Sequence, residues 1–295
     1  MKKILKRMTG IFLCVAMAVG IFGTTPAFAE GEDVSAQNTQ AQAAQWPTGP
    51  EVQASSAVVM DASTGTVLFE KDADTPRYPA SITKIMTTLL ALENCSLDEV
   101  VHFSATAVYE NEGGTSHIAR DLDEEMTLEQ CLYAIMLESA NECSYAVAEH
   151  VGGGDYQKFI DMMNAKAAEL GCTNTHFNNC NGLPDPNHYT TAHDMAQIMQ
   201  EAIKNETFLR VESDLSYTIP PTNMTASPRP LQNHHVMLFQ EDPTYGYQGA
   251  FAGKTGYTDE AHNTLVTAAK RNNVTLICVV LTCDNLDYIT DTRSL

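Results

Sequence analysis

Val274-Thr275-Leu276-Ile277-Cys278-Val279-Val280-Leu281 is a nearly continuous apolar run near the end of the chain. A strand half-buried in a sheet alternates apolar and polar side chains. An unbroken run instead implies a strand covered on both faces. Two shorter strands precede it, Leu265 to Ala269 and Ala250 to Tyr257. Their close spacing predicts antiparallel neighbours. At the other end of the chain, Ala57-Val58-Val59-Met60 and Thr66-Val67-Leu68-Phe69 flank Asp61-Ala62-Ser63-Thr64-Gly65. That pattern reads as strand, turn, strand. Between these strand regions the apolar residues recur at helical spacing. The order predicts a sheet completed by both chain ends with a helical region inserted between them.

Four helices have legible ends. One runs from Ile82 to about Glu93, after Pro79-Ala80-Ser81. Thr127 caps a second, with Gln130 three residues on as a capping box before Leu128, Cys131, Leu132, Ile135 and Met136. Asp155 opens a third, which Gly171 stops, and Thr191 opens a fourth. The strand at Val274 to Leu281 needs a cover on its outer face. The chain ends soon after it, at Leu295, so the sequence is expected to be a truncated form of a longer protein.

The 295 residues are 44% hydrophobic and 18% charged, with a mean hydropathy of −0.19, which excludes wholesale disorder and a polytopic membrane protein. Net charge is −20. No basic surface large enough to track a phosphate backbone is expected, so nucleic acid drops out as a partner. Residues 1–29 read as a secretory signal. Lys2, Lys3, Lys6 and Arg7 precede an apolar run from about Gly10 to Phe22, and Ala27-Phe28-Ala29 is a small-x-small cleavage site. The protein is therefore expected outside the cytoplasm, in the cell envelope or secreted. Residues 30–50 form a polar spacer, and 51–295 the folded domain. All 37 acidic residues lie beyond the signal, whereas four of the 17 bases lie within it, so the exported chain is more acidic still.

Seven cysteines remain after the signal. Cys172 and Cys180, or Cys278 and Cys283, are close enough in sequence to pair, and the sequence does not decide it. There is no CxxC and no HExxH, so neither a metal nor another cofactor is expected.

Three short motifs carry chemistry. In Ser81-Ile82-Thr83-Lys84 the serine and lysine share one face at the start of a helix, where the lysine amine approaches the hydroxyl. A serine hydroxyl is a weak nucleophile until a base takes its proton. Lysine serves as that base only if burial or a neighbouring cation lowers its pKa. Ser139-Ala140-Asn141 breaks two apolar helical segments and exposes two polar side chains at the turn. Lys254-Thr255-Gly256 lies on a strand, flanked by Gly253. It offers a cation, a hydroxyl suited to a carboxylate, and a small residue that lets a substrate backbone lie against the strand edge. Each triplet alone is more often structural. Together, once each and in this order behind a secretory signal, they are not a coincidence.

The set resembles that of penicillin-binding proteins and serine β-lactamases. The wider stretches Pro79–Thr87, Ser139–Cys143, Met163–Ala167, Thr175–Phe177, Asn181–Leu183, Thr191–Ala196 and Gly253–Asp259 are similar to the serine-type D-alanyl-D-alanine carboxypeptidases, the low-molecular-weight penicillin-binding proteins. The resemblance covers about residues 52–292. It implies an α/β (α+β) fold with an antiparallel sheet flanked by helices, and a helical lobe between Ser104 and about Ile219. It also implies an activity: removal of the terminal D-alanine from peptidoglycan stem pentapeptides. Ser81 would attack the penultimate D-alanine carbonyl and Lys84 would take its proton. Ser139 would pass a proton to the leaving D-alanine. Asn141 would hold Lys84 or the substrate amide, Lys254 and Thr255 the terminal carboxylate. The backbone N–H groups of Ser81 and Tyr257, beside Gly256, would form the oxyanion hole. β-Lactam antibiotics would acylate Ser81 and persist. Family members usually continue into a further helix, often a second domain and a membrane-binding helix, so membrane association is expected only through residues absent from this sequence.

Two other readings stand against this one. A penicillin-hydrolysing enzyme needs a glutamate for deacylation, and Glu201-Ala202-Ile203-Lys204-Asn205 is the nearest pattern; it reads as a solvated helix end. A non-catalytic wall-binding member of the fold is disfavoured by the three intact motifs.

Overall fold

The computed structural model describes residues 48–111 and 113–295; the segments expected to be a secretory signal, 1–29, and most of a spacer, 30–47, lie outside the described residues. The first hairpin joins β1 (Ser56–Asp61) to β2 (Val67–Lys71). Its turn is held by the Asp61 carboxylate, which accepts N–H groups of Ser63 and Thr64, and by Gly65 at φ +72°. A 3₁₀ turn, Ala80–Thr83, runs into α1 (Lys84–Asn94). Then come β3 (Val100–His102), α2 (Ala105–Asn111), β4 (Glu125–Thr127) and α3 (Leu128–Leu137). The predicted capping box at Thr127 and Gln130 is formed in both directions. Helices α4 (Asn141–Gly152), α5 (Tyr156–Glu169), α6 (Ala192–Ala202) and α7 (Glu206–Ser213) complete the lobe. A hairpin of β5 (Ser216–Ile219) and β6 (Arg229–Gln232) follows. The chain then returns through β7 (Ala250–Thr258), β8 (His262–Arg271) and β9 (Val274–Cys283) to α8 (Asp287–Ser294).

The main sheet has the order β2-β1-β9-β8-β7, antiparallel throughout. Both chain ends meet where Val59 of β1 opposes Cys278 of β9. Strand β9 shows why its sequence is unbroken. Ile277, Val279 and Leu281 enter the large core shared with α1, α3, α4, α5 and α6. Cys278 and Val280 point the other way, into a second core that includes Ile289 of α8. Each fully buried aliphatic side chain contributes about 1.5–3 kcal/mol, so the two-sided strand is the anchor of the sheet.

That second core corrects the reading that the residues after β9 provide it no cover. The outer face of β9 is covered, by the last residues of the sequence itself. Helix α8 escaped notice because Asp287–Ser294 is polar and short, with Ile289 its one large apolar side chain fully inside. The cysteine question is also answered: all seven described thiols are unpaired.

Candidate active site

Ser81 sits in a 3₁₀ turn that precedes α1, and the α-helix begins at Lys84, two residues later than the Ile82 expected from the sequence. The difference matters. A 3₁₀ turn has three residues per turn, so side chains at i and i+3 stand directly above one another. Lys84 Nζ therefore lies 3.1 Å from Ser81 Oγ. The turn is entered through Ala80 at φ +51°, a conformation that costs an L-residue about 1–2 kcal/mol.

Lys84 is fully buried. Its amine meets two carbonyl oxygens, Asn141 Oδ1 and the backbone oxygen of Asn181, both at 2.7 Å. Burial, then the nearby Lys254 cation, push its pKa well below the ordinary 10.5. A neutral amine has two hydrogens and one lone pair. The two carbonyls can only accept, so they take both hydrogens and leave the lone pair facing the Ser81 hydroxyl. This is the arrangement of a base poised on a nucleophile.

The Asn181 carbonyl is placed by a histidine. His188 Nδ1 accepts the backbone N–H groups of Asn178 and Asn179, at 3.0 and 3.3 Å. Its proton is therefore on Nε2, which donates to Thr83 Oγ1 at 2.9 Å. One neutral ring thus ties the 178–182 loop to the serine turn. Within that loop Gly182 has φ +90°, and a Cβ there would lie 1.9 Å from the Ala80 carbonyl oxygen. Gly182→Ala is expected to destabilise the protein by about 2–4 kcal/mol, read by thermal unfolding, because backbone and not a flexible side chain must give way. An unchanged unfolding temperature would show that the loop and turn are not locked.

Burial holds both His188 and His235 neutral, their pKa values lowered from 6.5 to about 3. Between those values the unfolded chain binds protons that the fold excludes, so their stabilisation is complete above about pH 6.5 and is lost as pH falls towards 3. Glu212, raised by burial from 4.5 to about 8, acts in the opposite sense over its own range, one group against two. The unfolding temperature should fall from about pH 6 downward, with two imidazole signals in histidine-labelled NMR spectra that do not titrate between about pH 7 and 5. Titration of every ring near 6.5 would contradict it.

Ser139 occupies the break between α3 and α4 at φ +59°, and its Oγ is buried without a hydrogen-bond partner among the described residues. Asn141 follows as the first residue of α4. Lys254 on β7 is fully buried and donates to the Thr255 carbonyl at 3.0 Å. Burial lowers its pKa to about 8 while the Glu212 carboxylate opposes the shift. Glu212 also accepts the Gly253 N–H at 2.9 Å, which pins the back of the strand. A Cβ on Gly256 would lie 2.8 Å from the Ser81 nitrogen, so only glycine lets β7 pass this close to the serine turn. Two adjoining clefts open on Ser81. One is bordered by Ser139, Thr255, His234 and Tyr288, the other by Asn141, Asn181 and Gly182, with Tyr257 exposed between them.

With this geometry in view, a family profile described as D-alanyl-D-alanine carboxypeptidase matches residues 38–285. The chain belongs to the D-alanyl-D-alanine carboxypeptidase family. It is 34% identical over 240 residues to D-alanyl-D-alanine carboxypeptidase DacF of Bacillus subtilis (strain 168), covering 77% of this chain and 57% of that protein. It is 33% identical over 278 residues to a D-alanyl-D-alanine carboxypeptidase of Streptomyces sp. (strain K15), covering 90% and 87%. Among solved structures, the Streptomyces K15 DD-transpeptidase superposes with a TM-score of 0.76 at 32% identity, covering 84% of this chain and 97% of that one. The D-alanyl-D-alanine carboxypeptidase of Mycobacterium tuberculosis H37Rv gives 0.75 at 28% identity, covering 85% and 92%. The carboxypeptidase family's fold, an antiparallel sheet flanked by helices, is the fold described above.

Of the residues singled out in the sequence, Ser81, Lys84 and Asn141 are joined directly by hydrogen bonds. Ser139, Thr255, Gly256 and Tyr257 border the same cleft. Lys254 is buried next to Thr255 on β7. Glu201 pairs with Lys204 at 2.7 Å at the end of α6, as a solvated helix end should. The Asn181 carbonyl, His188 and the cleft-lining Ser116, His234, Asn263 and Tyr288 had no place in the sequence-derived site. The similarity at Asn181–Leu183 was the only signal for any of them.

Proposed function

We propose that this family member is a serine-type D-alanyl-D-alanine carboxypeptidase acting on peptidoglycan stem pentapeptides outside the cytoplasm. Residues 1–29 serve as the export signal, 30–50 as a spacer and 51–295 as the catalytic domain. The Ser81 oxygen bonds to the penultimate D-alanine carbonyl carbon as its proton passes to Lys84. The C–N bond to the last D-alanine then breaks, and Ser139 delivers a proton to the departing amine. Water hydrolyses the resulting ester. Lys254 and Thr255 hold the terminal carboxylate, with the substrate backbone against Gly256. The N–H groups of Ser81 and Tyr257 stabilise the oxyanion, a kind of contact worth about 3–4 kcal/mol per donor. A β-lactam follows the same first step and stays attached.

The observation that carries this reading is a buried lysine amine 3.1 Å from a serine hydroxyl in an open cleft, with carbonyl oxygens as its other two partners. The test uses a pentapeptide ending in D-Ala-D-Ala, with free D-alanine as the readout, and intact mass after exposure to penicillin. Release of D-alanine together with a stable one-to-one adduct is expected. Rapid turnover of penicillin without an adduct would favour a β-lactamase, and neither reaction would leave a non-catalytic member of the fold.

A further inference from the structure

Helices α1 and α4 begin at the active site, with Lys84 and Asn141, and their far ends also meet. There Cys95 at the end of α1, Glu99 in the following turn and His150 in the last turn of α4 bring a thiol, a carboxylate and an imidazole nitrogen within 4.8 Å of one another. Glu99 accepts the Ser96 N–H at 2.6 Å, which fixes the carboxylate, and its other oxygen lies 2.9 Å from His150 Nε2. Cys95 is the one described cysteine that is not buried. His150 borders a surface groove with His102, Ser104, Glu149, Gly153 and Gly154, and Glu99 is exposed, so the cluster is open to solvent.

We propose that Cys95, Glu99 and His150 form a binding site for a zinc-class divalent ion, with water as the fourth ligand. A mixed S, N and O donor set suits zinc; calcium and magnesium require oxygen throughout. Bond lengths of 2.0–2.3 Å put tetrahedral donors roughly 3.4 Å apart, so Glu99 and His150 part by about 0.5 Å and the thiol closes by little more than ~1 Å. On binding, the thiol proton leaves to solvent and the thiolate bonds the metal; the Nε2 proton that His150 gives to Glu99 also leaves, and the neutral ring carries its proton on Nδ1. The Ser96 N–H remains on Glu99 as an orienting contact. The ion would clamp the far ends of the two helices that carry Lys84 and Asn141 without touching the reaction. The sequence hides the site because two ligands are four residues apart and the third lies 51 residues further on.

The test uses the full chain, stripped with a chelator and titrated with zinc or cobalt(II). One zinc per chain, a raised unfolding temperature and a thiolate-to-cobalt charge-transfer band are expected. Cys95→Ser and His150→Gln should each weaken zinc binding on the order of 100-fold and lose the band or shift it, while circular dichroism stays that of the parent. A cobalt complex with no thiolate band, or zinc binding unchanged in both variants, would overturn the proposal. The cobalt spectrum of the unaltered protein decides the matter even if a variant fails to fold.

Discussion

Ser81→Ala releases no D-alanine from the pentapeptide and gains no mass on exposure to penicillin. The expected loss is at least ~10⁴-fold, because the hydroxyl is the atom that forms the covalent bond and no binding contact replaces it. The variant folds: the Ser81 side chain is only partly buried, and its single described partner is Lys84. The prediction is specific because the clefts contain other hydroxyls. Ser139 and Ser116 border the same space, and the Ser139 oxygen is unpartnered among the described residues. The described hydrogen bonds of the Lys84 amine go to Ser81, Asn141 and Asn181, not to Ser139 or Ser116. A penicillin adduct persisting on Ser81→Ala would move the nucleophile to one of them and refute the proposed mechanism.

Lys84→Met should slow acylation by about 10²–10⁴-fold, the usual contribution of a general base. The substitution keeps an unbranched chain of similar length but removes both donors. Asn141 Oδ1 and the Asn181 carbonyl are then buried without those partners, at about 1–3 kcal/mol each. Both activity and unfolding temperature therefore fall, and a second variant separates them. Lys84→Arg restores donors for the carbonyls but carries a permanent charge and cannot accept a proton. It should remain as slow as Lys84→Met. In the unaltered enzyme, activity rises with pH as Lys84 loses its proton, well below the ordinary lysine range. That acid limb should be absent from the residual activity of Lys84→Met. Substantial acylation by either variant would assign proton removal to another group.

Both predictions rest on distances that join residues far apart in the chain. Local patterns were nevertheless informative. The Thr127 and Gln130 cap, the Asp155 and Thr191 caps and the unbroken apolar run of β9 were readable because each depends on neighbours within a few residues. Helix α8 was not, since a polar octapeptide becomes helical and half-buried only against an existing sheet.

From the sequence alone came the order of strands and helices, the two-faced burial of β9 and the three polar motifs, all of which depend on side-chain type and spacing. Tertiary structure alone decided that Lys84 is buried, that a backbone carbonyl from Asn181 holds it, and that Gly182 and Gly256 press against the serine turn. The physical reason is that backbone oxygens are the same in every residue and leave no mark in a sequence. Desolvation, likewise, belongs to a residue's surroundings; the chain supplies those only once segments 57 and 97 residues away have closed around the amine.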